Sequence, residues 1–307
     1  MAAPATEPEI LDVNRRYHDV AAVDYDAKWG IDFGAGGRAQ VLSKLSKLLG
    51  EQPGPFARSL EIGAGTGYFS LNLLQAGVVG EATCTDISPG MLTRLEANAA
   101  KLGLDVDTAT CDAAALPFED ASFDLVLGHA VLHHLPDLER SFAEFTRVLR
   151  PSGTLFFAGE PSAHGDRIAA WPKRAAIRAA PYWRRALKAR PAEPASGAGG
   201  DPAHDAAHGL EWNVDVHAFV PGDLEALARG AGLTDVRLRG EELVANVFGW
   251  VNRTLEASAE FSDLPSWWIH FAHRGYLLLQ RVDRALLEPR LPPTAFYNLM
   301  LAARKPL

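Results

Sequence analysis

Three carboxylates and a group of histidines stand where a polar, charged small molecule could be gripped. Glu61, Asp86 and Asp112 each lie at the end of a short apolar run, and His129, His133 and His134 follow a fourth. Between Glu61 and the next helical pattern comes Leu-Glu-Ile-Gly-Ala-Gly-Thr-Gly (60–67), with Gly63, Gly65 and Gly67 at alternate positions. Glycine lets the chain turn tightly and lets a ligand reach the main chain with no Cβ in the way. A helix opening behind such a loop presents free N–H groups. Asp86, 19 residues after Gly67, can hold both hydroxyls of a ribose. Asp112 can accept a hydrogen bond from an exocyclic amino group while the N–H of Ala113 meets a ring nitrogen. These residues point to a nucleoside.

Two nucleoside classes remain. A dinucleotide site places a pyrophosphate at a helix N-terminus, usually behind G-x-G-x-x-G and without a carboxylate beside it. Here the spacing is G-x-G-x-G and Glu61 precedes the loop by two residues. An acidic group there opposes a pyrophosphate and suits a ligand that carries an ammonium and a sulfonium. S-adenosylmethionine has both, so the spacing favours a methyl donor.

The elements that must position these groups follow a clear rhythm. Residues 10–50 read as helical, with Leu42, Leu45, Leu48 and Leu49 on one face. Strands are then expected at 58–62, 80–86, 105–110, 122–128 and 153–159, and helices at 66–76, 89–102 and 138–149. The strands are short and nearly continuous in apolar residues, as when both faces are covered. Ser88-Pro89 starts one helix and Arg150-Pro151-Ser152-Gly153 stops another. Right-handed crossovers make this a doubly wound parallel sheet, whose ligands sit outside the strands' carboxyl ends. A helix at 222–231, a strand at 234–239, a helical block over 243–288 and a last strand at 295–303 complete the pattern.

Composition narrows the function classes. The 307 residues are 48% hydrophobic and 22% charged, ordinary for a folded globular chain. A net charge of −8 argues against DNA as the partner. Cys84 and Cys111 fit buried thiols in a reducing compartment. No apolar leader opens the chain and no run approaches about 18 apolar residues, so a cytoplasmic location is expected. His204 and His208 stand four apart in a Gly/Pro/Ala-rich tract without thiolates, and no metal site is expected there.

The segments LEIGAGTGYFS (60–70), TDISPGML (85–92), CDAAALPFEDASFDLVLGHAVLHHLPD (111–137) and RVLRPSGTLFFAGEP (147–161) resemble the class I S-adenosylmethionine-dependent methyltransferases. The likeness is to the type 11 domain and its ubiquinone/menaquinone-biosynthesis group. It is dense over residues 56–161 and sparse elsewhere. It implies a Rossmann-like α/β fold of seven strands, a parallel sheet with an antiparallel last strand, and helical insertions on the cofactor side. It implies a donor site built from Glu61, Gly63, Ala64, Gly65 and Gly67, with Gly63 and Gly65 against the methionine part. Asp86 would bind the ribose, Ile87 and Met91 would pack on the adenine, and Asp112 and Ala113 would read its edge. His129 would approach the methionine amine. An N-terminal helix that covers the donor matches RRYHDVAAVDYDAKW (15–29), with Tyr17 and Tyr25 as candidates.

The implied organisation is an N-terminal helical cap (1–55), a donor-binding core (56–160), a basic Ala/Pro/Gly-rich insertion (161–220) and a C-terminal part of the core (221–307). That last part carries a helical insertion at 241–293. The first insertion holds eight basic residues between Arg167 and Arg190 and no acidic one, interleaved with Trp171, Tyr182 and Trp183. It reads as a surface for anionic lipid headgroups, through peripheral membrane contact, or for an acidic substrate, or as a solvated helix face. The tract ARPAEPASGAGGDPA (189–203) reads as a mobile loop. No Asn/Asp-Pro-Pro-Tyr/Phe follows strand four, which disfavours amino-group methylation of DNA bases or glutamine. The expected function is methyl transfer to a small-molecule or lipid-like acceptor, on oxygen or carbon, with His133 and His134 as candidate general bases. A tRNA methyltransferase and a non-catalytic donor-binding protein are the alternatives.

Overall fold

The computed structural model describes residues 6–192 and 216–307. His204, His208 and most of the tract 189–203 lie outside them. Three helices open the chain: α1 (Glu7–Ala21), α2 (Tyr25–Trp29) and α3 (Ala35–Leu49). Strand β1 (Phe56–Ile62), α4 (Tyr68–Gln75), β2 (Val79–Asp86), α5 (Pro89–Leu102), β3 (Asp107–Thr110), β4 (Phe123–His129), α6 (Leu138–Val148) and β5 (Leu149–Pro161) follow. Then come α7 (Ala163–Leu187), α8 (Pro221–Gly230), β6 (Thr234–Glu241), α9 (Leu243–Glu256), α10 (Ser266–Val282) and β7 (Asn298–Arg304).

The seven strands form one sheet in the order β3-β2-β1-β4-β5-β7-β6. Strands β1 to β5 pair in parallel. Strand β7 runs against β5, since Ser152 donates to the carbonyl of Lys305 at one end while Ser162 donates to that of Tyr297 at the other. The order reverses between β1 and β4, and the register there puts Ile62 beside both Thr85 and Gly128. The strand tips therefore line up along one edge of the sheet, as doubly wound topology requires of a ligand site.

Burial on both faces explains the apolar strands. Leu125 and Leu127 of β4 pack on one face with Phe69 and Leu73 of α4 and with Val41 and Leu45 of α3. On β5, Phe157 stacks near Phe142 and Phe145 of α6, with ring centroids 6.3 and 5.3 Å away. Side-chain caps set the helix starts: the Ser88 hydroxyl accepts from the N–H of Met91, and the Asp137 carboxylate from that of Arg140.

Of the described residues, 161–192 and 239–299 gather into a compact unit of their own, and the others form a second. In the smaller unit the first insertion begins as a single 25-residue helix, α7, with Pro172 and Pro181 inside it. Each proline removes one helical N–H. The helix persists because alanine and arginine dominate it, the Ser162 hydroxyl caps its start, and Ala176 and Ala180 pack against Leu255 of α9. The Asp283 carboxylate accepts from the N–H groups of Val244 and Ala245 at the start of α9. Glu242 ties α9 to α10 by accepting from the Tyr276 hydroxyl and the Gln280 amide at 2.7 and 2.9 Å. Among the described residues, no helix is long and apolar enough to cross a membrane.

Glu61 turns inward. The residue is 2% exposed, and its carboxyl accepts from the N–H of Ser70 in the first turn of α4 at 2.9 Å. Burial pushes its pKa up to about 7 from 4.5. The folded state thus holds this proton more tightly than the unfolded chain. The resulting stability is complete below the unfolded pKa and is lost as pH rises through about 7. Between about pH 5 and pH 8 the wild type is expected to lose about 2.5 kcal/mol more unfolding free energy than Glu61→Gln; equal pH slopes in urea titrations would refute this. Phe157→Ala is expected to cost about 3–5 kcal/mol in the same assay, and a loss below about 1 kcal/mol would mean that the α6–sheet packing is not as described.

Candidate functional site

A cleft that opens to solvent lies along the aligned strand tips. Its floor is the turn from β1 to α4. Gly63 has φ +60°, and a Cβ there would stand 2.3 Å from the Val131 side chain. Gly65 has φ +53° with nothing within 4 Å of where a Cβ would be, so its main chain lies bare to the cleft. Both positions demand glycine, the first for conformation and contact, the second for conformation.

Asp86 ends β2 and lines one wall. Its two oxygens accept from the N–H groups of Gly65 and Ser88, each at 2.9 Å. The carboxylate thereby joins the glycine turn to the start of α5. Burial raises its pKa, while a charge on His18 and the two N–H donors act the other way. Asp19 of α1 holds the same corner, accepting from the Ser88 hydroxyl at 2.6 Å and the Gly90 N–H at 3.0 Å. This bond seats α1 over the cleft. Leu11, Asn14 and His18, one helical face of α1, line it from above together with Tyr25 of α2. Burial raises the Tyr25 phenol, with the negative charge of Asp86 acting in the same sense.

Beyond β3 the wall continues through Cys111, Asp112 and Ala113. Asp112 accepts from the N–H of Ala114 at 2.9 Å, which shapes that turn. Burial pushes the Cys111 thiol up to about 11, so it stays a neutral thiol and no nucleophile. On the far side His129 stacks on Phe69 of α4 with centroids 4.8 Å apart. Gly159 makes room for it, since a Cβ there would lie 2.8 Å from the imidazole Nε2. Ala130 follows with φ +53°, a conformation rare for a side-chain-bearing residue and common at ligand sites.

The turn after β4 is held by a carboxylate that the sequence did not flag. Glu160, 1% exposed, accepts from the N–H groups of Val131, Leu132 and His133 at 3.0–3.2 Å. Its Oε2 also lies 2.9 Å from His133 Nδ1. His133 is buried by this pairing, and His134 lines the cleft. The His134 ring lies 4.0 Å from that of His133 and 5.3 Å from that of His18. The carbonyls of His133 and Leu135 accept from Val216 and His217, which clamps the turn from outside.

Among the residues singled out from sequence, Tyr25, Gly63, Gly65, Asp86 and Ile87 line the cleft, as do Asp112, Ala113, His129 and His134. Glu61, Ala64, Gly67, Met91 and His133 are not among its lining residues; Glu61 serves α4 and Met91 is fully buried. Tyr17 packs against Val13, Val20 and Ala21. His18 and Asn14 went unremarked, although their spacing with Leu11 marks one helical face and was legible.

Comparison with known proteins fits this geometry. Residues 60–157 match the family model described as a methyltransferase domain. A malonyl-[acyl-carrier protein] O-methyltransferase of Geobacter sulfurreducens is 34% identical over 148 residues, covering 48% of this chain and 52% of that protein. A ubiquinone/menaquinone biosynthesis C-methyltransferase of Bordetella parapertussis is 39% identical over 102 residues, covering 33% and 40%. The chain thus spans about half the length, or less, of these curated relatives. Among solved structures, phosphoethanolamine N-methyltransferase 2 of Haemonchus contortus, bound to phosphomonomethylethanolamine and S-adenosylhomocysteine, superposes with a TM-score of 0.60 at 18% identity. That match covers 99% of this chain and 61% of the other, and it is a likeness of fold. Residues 60–157, with the glycine turn and the strand-tip carboxylates inside them, are the part of the chain that matches the methyltransferase-domain model.

Proposed function

We infer that this chain is an S-adenosylmethionine-dependent methyltransferase acting on a small-molecule or lipid-like acceptor, at oxygen or carbon. The observation that carries the reading is the Asp86 carboxylate, set at the β2 tip in one cleft with the bare main chain of Gly65. The residues fit the donor. Gly63 and Gly65 leave room for the methionine part, Asp86 faces the ribose position, and Ile87, Asp112 and Ala113 suit the adenine. Tyr25 and His129 also line the cleft. The names of the curated relatives, one an O-methyltransferase and one a C-methyltransferase, agree with transfer to oxygen or carbon.

When bound, the donor supplies a methyl carbon activated by its sulfonium. The chain's own residues then hold the acceptor in line and keep water out; orientation alone can supply roughly 7–11 kcal/mol of the barrier. For a hydroxyl acceptor, His134 is the group placed to take the proton, because it faces the cleft while Glu160 holds its neighbour His133. His133 is a positioning residue in this scheme.

Asp86→Ala is expected to weaken S-adenosylhomocysteine binding at least about tenfold in calorimetry, the loss of one charged hydrogen-bond partner; an unchanged affinity would sink the ribose assignment. A metabolite extract screened with methyl-labelled donor is expected to yield a labelled small molecule. With that acceptor, His134→Ala is expected to lower kcat by about 10²–10⁴ while sparing donor affinity. Full kcat in His134→Ala would remove the base assignment.

A further inference from the structure

The solvent face of α7 carries a single ordered stripe. Arg167, Trp171, Arg174, Arg178, Tyr182 and Arg185 follow at steps of three and four residues, the spacing of one helical face, and all six are exposed. Trp171 is 76% and Tyr182 80% exposed. The opposite face carries Ala169, Ala176 and Ala180, which are buried. From Arg167 to Arg185 the stripe runs about 27 Å at the helical rise. Arg167, Arg174, Arg178 and Arg185 make no ion pair among the described residues.

Helix α10 of the same compact unit repeats the pattern. Trp267, Phe271, Arg274, Leu278 and Arg281 occupy one exposed face, with Trp267 at 58%, Phe271 at 49% and Leu278 at 60% exposure. The two helices meet through Trp183 and Trp268, whose rings are 5.0 Å apart. So much aromatic surface left in water costs free energy unless something covers it.

We propose that these two helix faces form a docking surface for an anionic phospholipid membrane. The occupant follows from charge and shape. Over residues 167–190 the first insertion is wholly basic in a chain of net charge −8, so the cations are concentrated where the aromatics are. Arginines beside tryptophan and tyrosine match the membrane–water boundary, where guanidinium groups meet lipid phosphates and the rings sit at headgroup depth. The stripe is the outward face of a helix. Single-stranded nucleic acids are bound instead in basic grooves lined with stacking platforms. The surface is independent of which acceptor is methylated.

The test is flotation of the full chain with vesicles, read together with tryptophan fluorescence. Wild-type protein is expected to float with equimolar phosphatidylglycerol/phosphatidylcholine vesicles and not with phosphatidylcholine alone, with a blue-shifted emission that high salt reverses. R174E/R178E is expected to weaken binding about tenfold or more, and W171S to reduce the blue shift. K101E/R229E, an equal charge change at exposed positions outside these helices, is expected to bind as wild type does. Failure to float with anionic vesicles would overturn the proposal. So would equal flotation with neutral vesicles, an equal loss in K101E/R229E, or capture of an acidic protein or RNA without vesicle binding.

Discussion

The cleft depends on one carboxylate at the tip of one strand. Asp86 accepts from Gly65 in the β1–α4 turn and from Ser88 at the start of α5. Three elements are thereby held in register by four atoms of a single side chain. Strand β2 lies beside β1, and the order reverses on the other side of β1, toward β4, so this carboxylate fixes one flank of the opening that the reversal creates. Asp19 adds the cap of α1 to the same corner through Ser88 and Gly90. The two Asp86 bonds satisfy one N–H of the turn and one at the helix start. They also leave the outward edge of the carboxylate facing the cleft, where a ligand's hydroxyls can compete for it.

The same device recurs wherever this chain needs a rigid turn. Glu61 satisfies Ser70 at the start of α4, Glu160 satisfies three successive N–H groups after β4, and Asp283 satisfies two at the start of α9. Each is a buried acid whose desolvation cost is offset by donors that would otherwise be orphaned. Glu160 shows why the device matters for chemistry. Holding Val131, Leu132 and His133 leaves His134 on a turn with little freedom, and Val131 in turn stands where Gly63 must have no side chain. The glycine turn and the histidine turn thus constrain each other across the cleft.

Much of this was legible in the sequence, and the remainder was hidden for physical reasons. The alternation of apolar runs and helices, the glycine turn, Asp86 and Asp112 are local patterns, and local patterns can be read one residue at a time. The direction of Glu61 could not be read that way. A carboxylate two residues before a glycine turn can face a ligand or the helix behind the loop, and the free N–H of Ser70 decides the matter. Glu160 was hidden because its partners lie 27–29 residues earlier. Helix α7 defied its two prolines, since a buried alanine face and a serine cap outweigh two missing hydrogen bonds.

The chain separates two kinds of chemistry between its two compact units. Carboxylates and glycine dominate the strand tips of the larger unit, where a ligand bearing positive charge is expected. Arginine and aromatic side chains dominate the outward faces of α7 and α10 in the smaller one. Residues 60–157, which match the family model, hold the glycine turn with Glu61, Asp86 and Asp112, whereas the arginine stripe lies outside them on α7 and α10, so the match rests on the strand tips and not on the stripe.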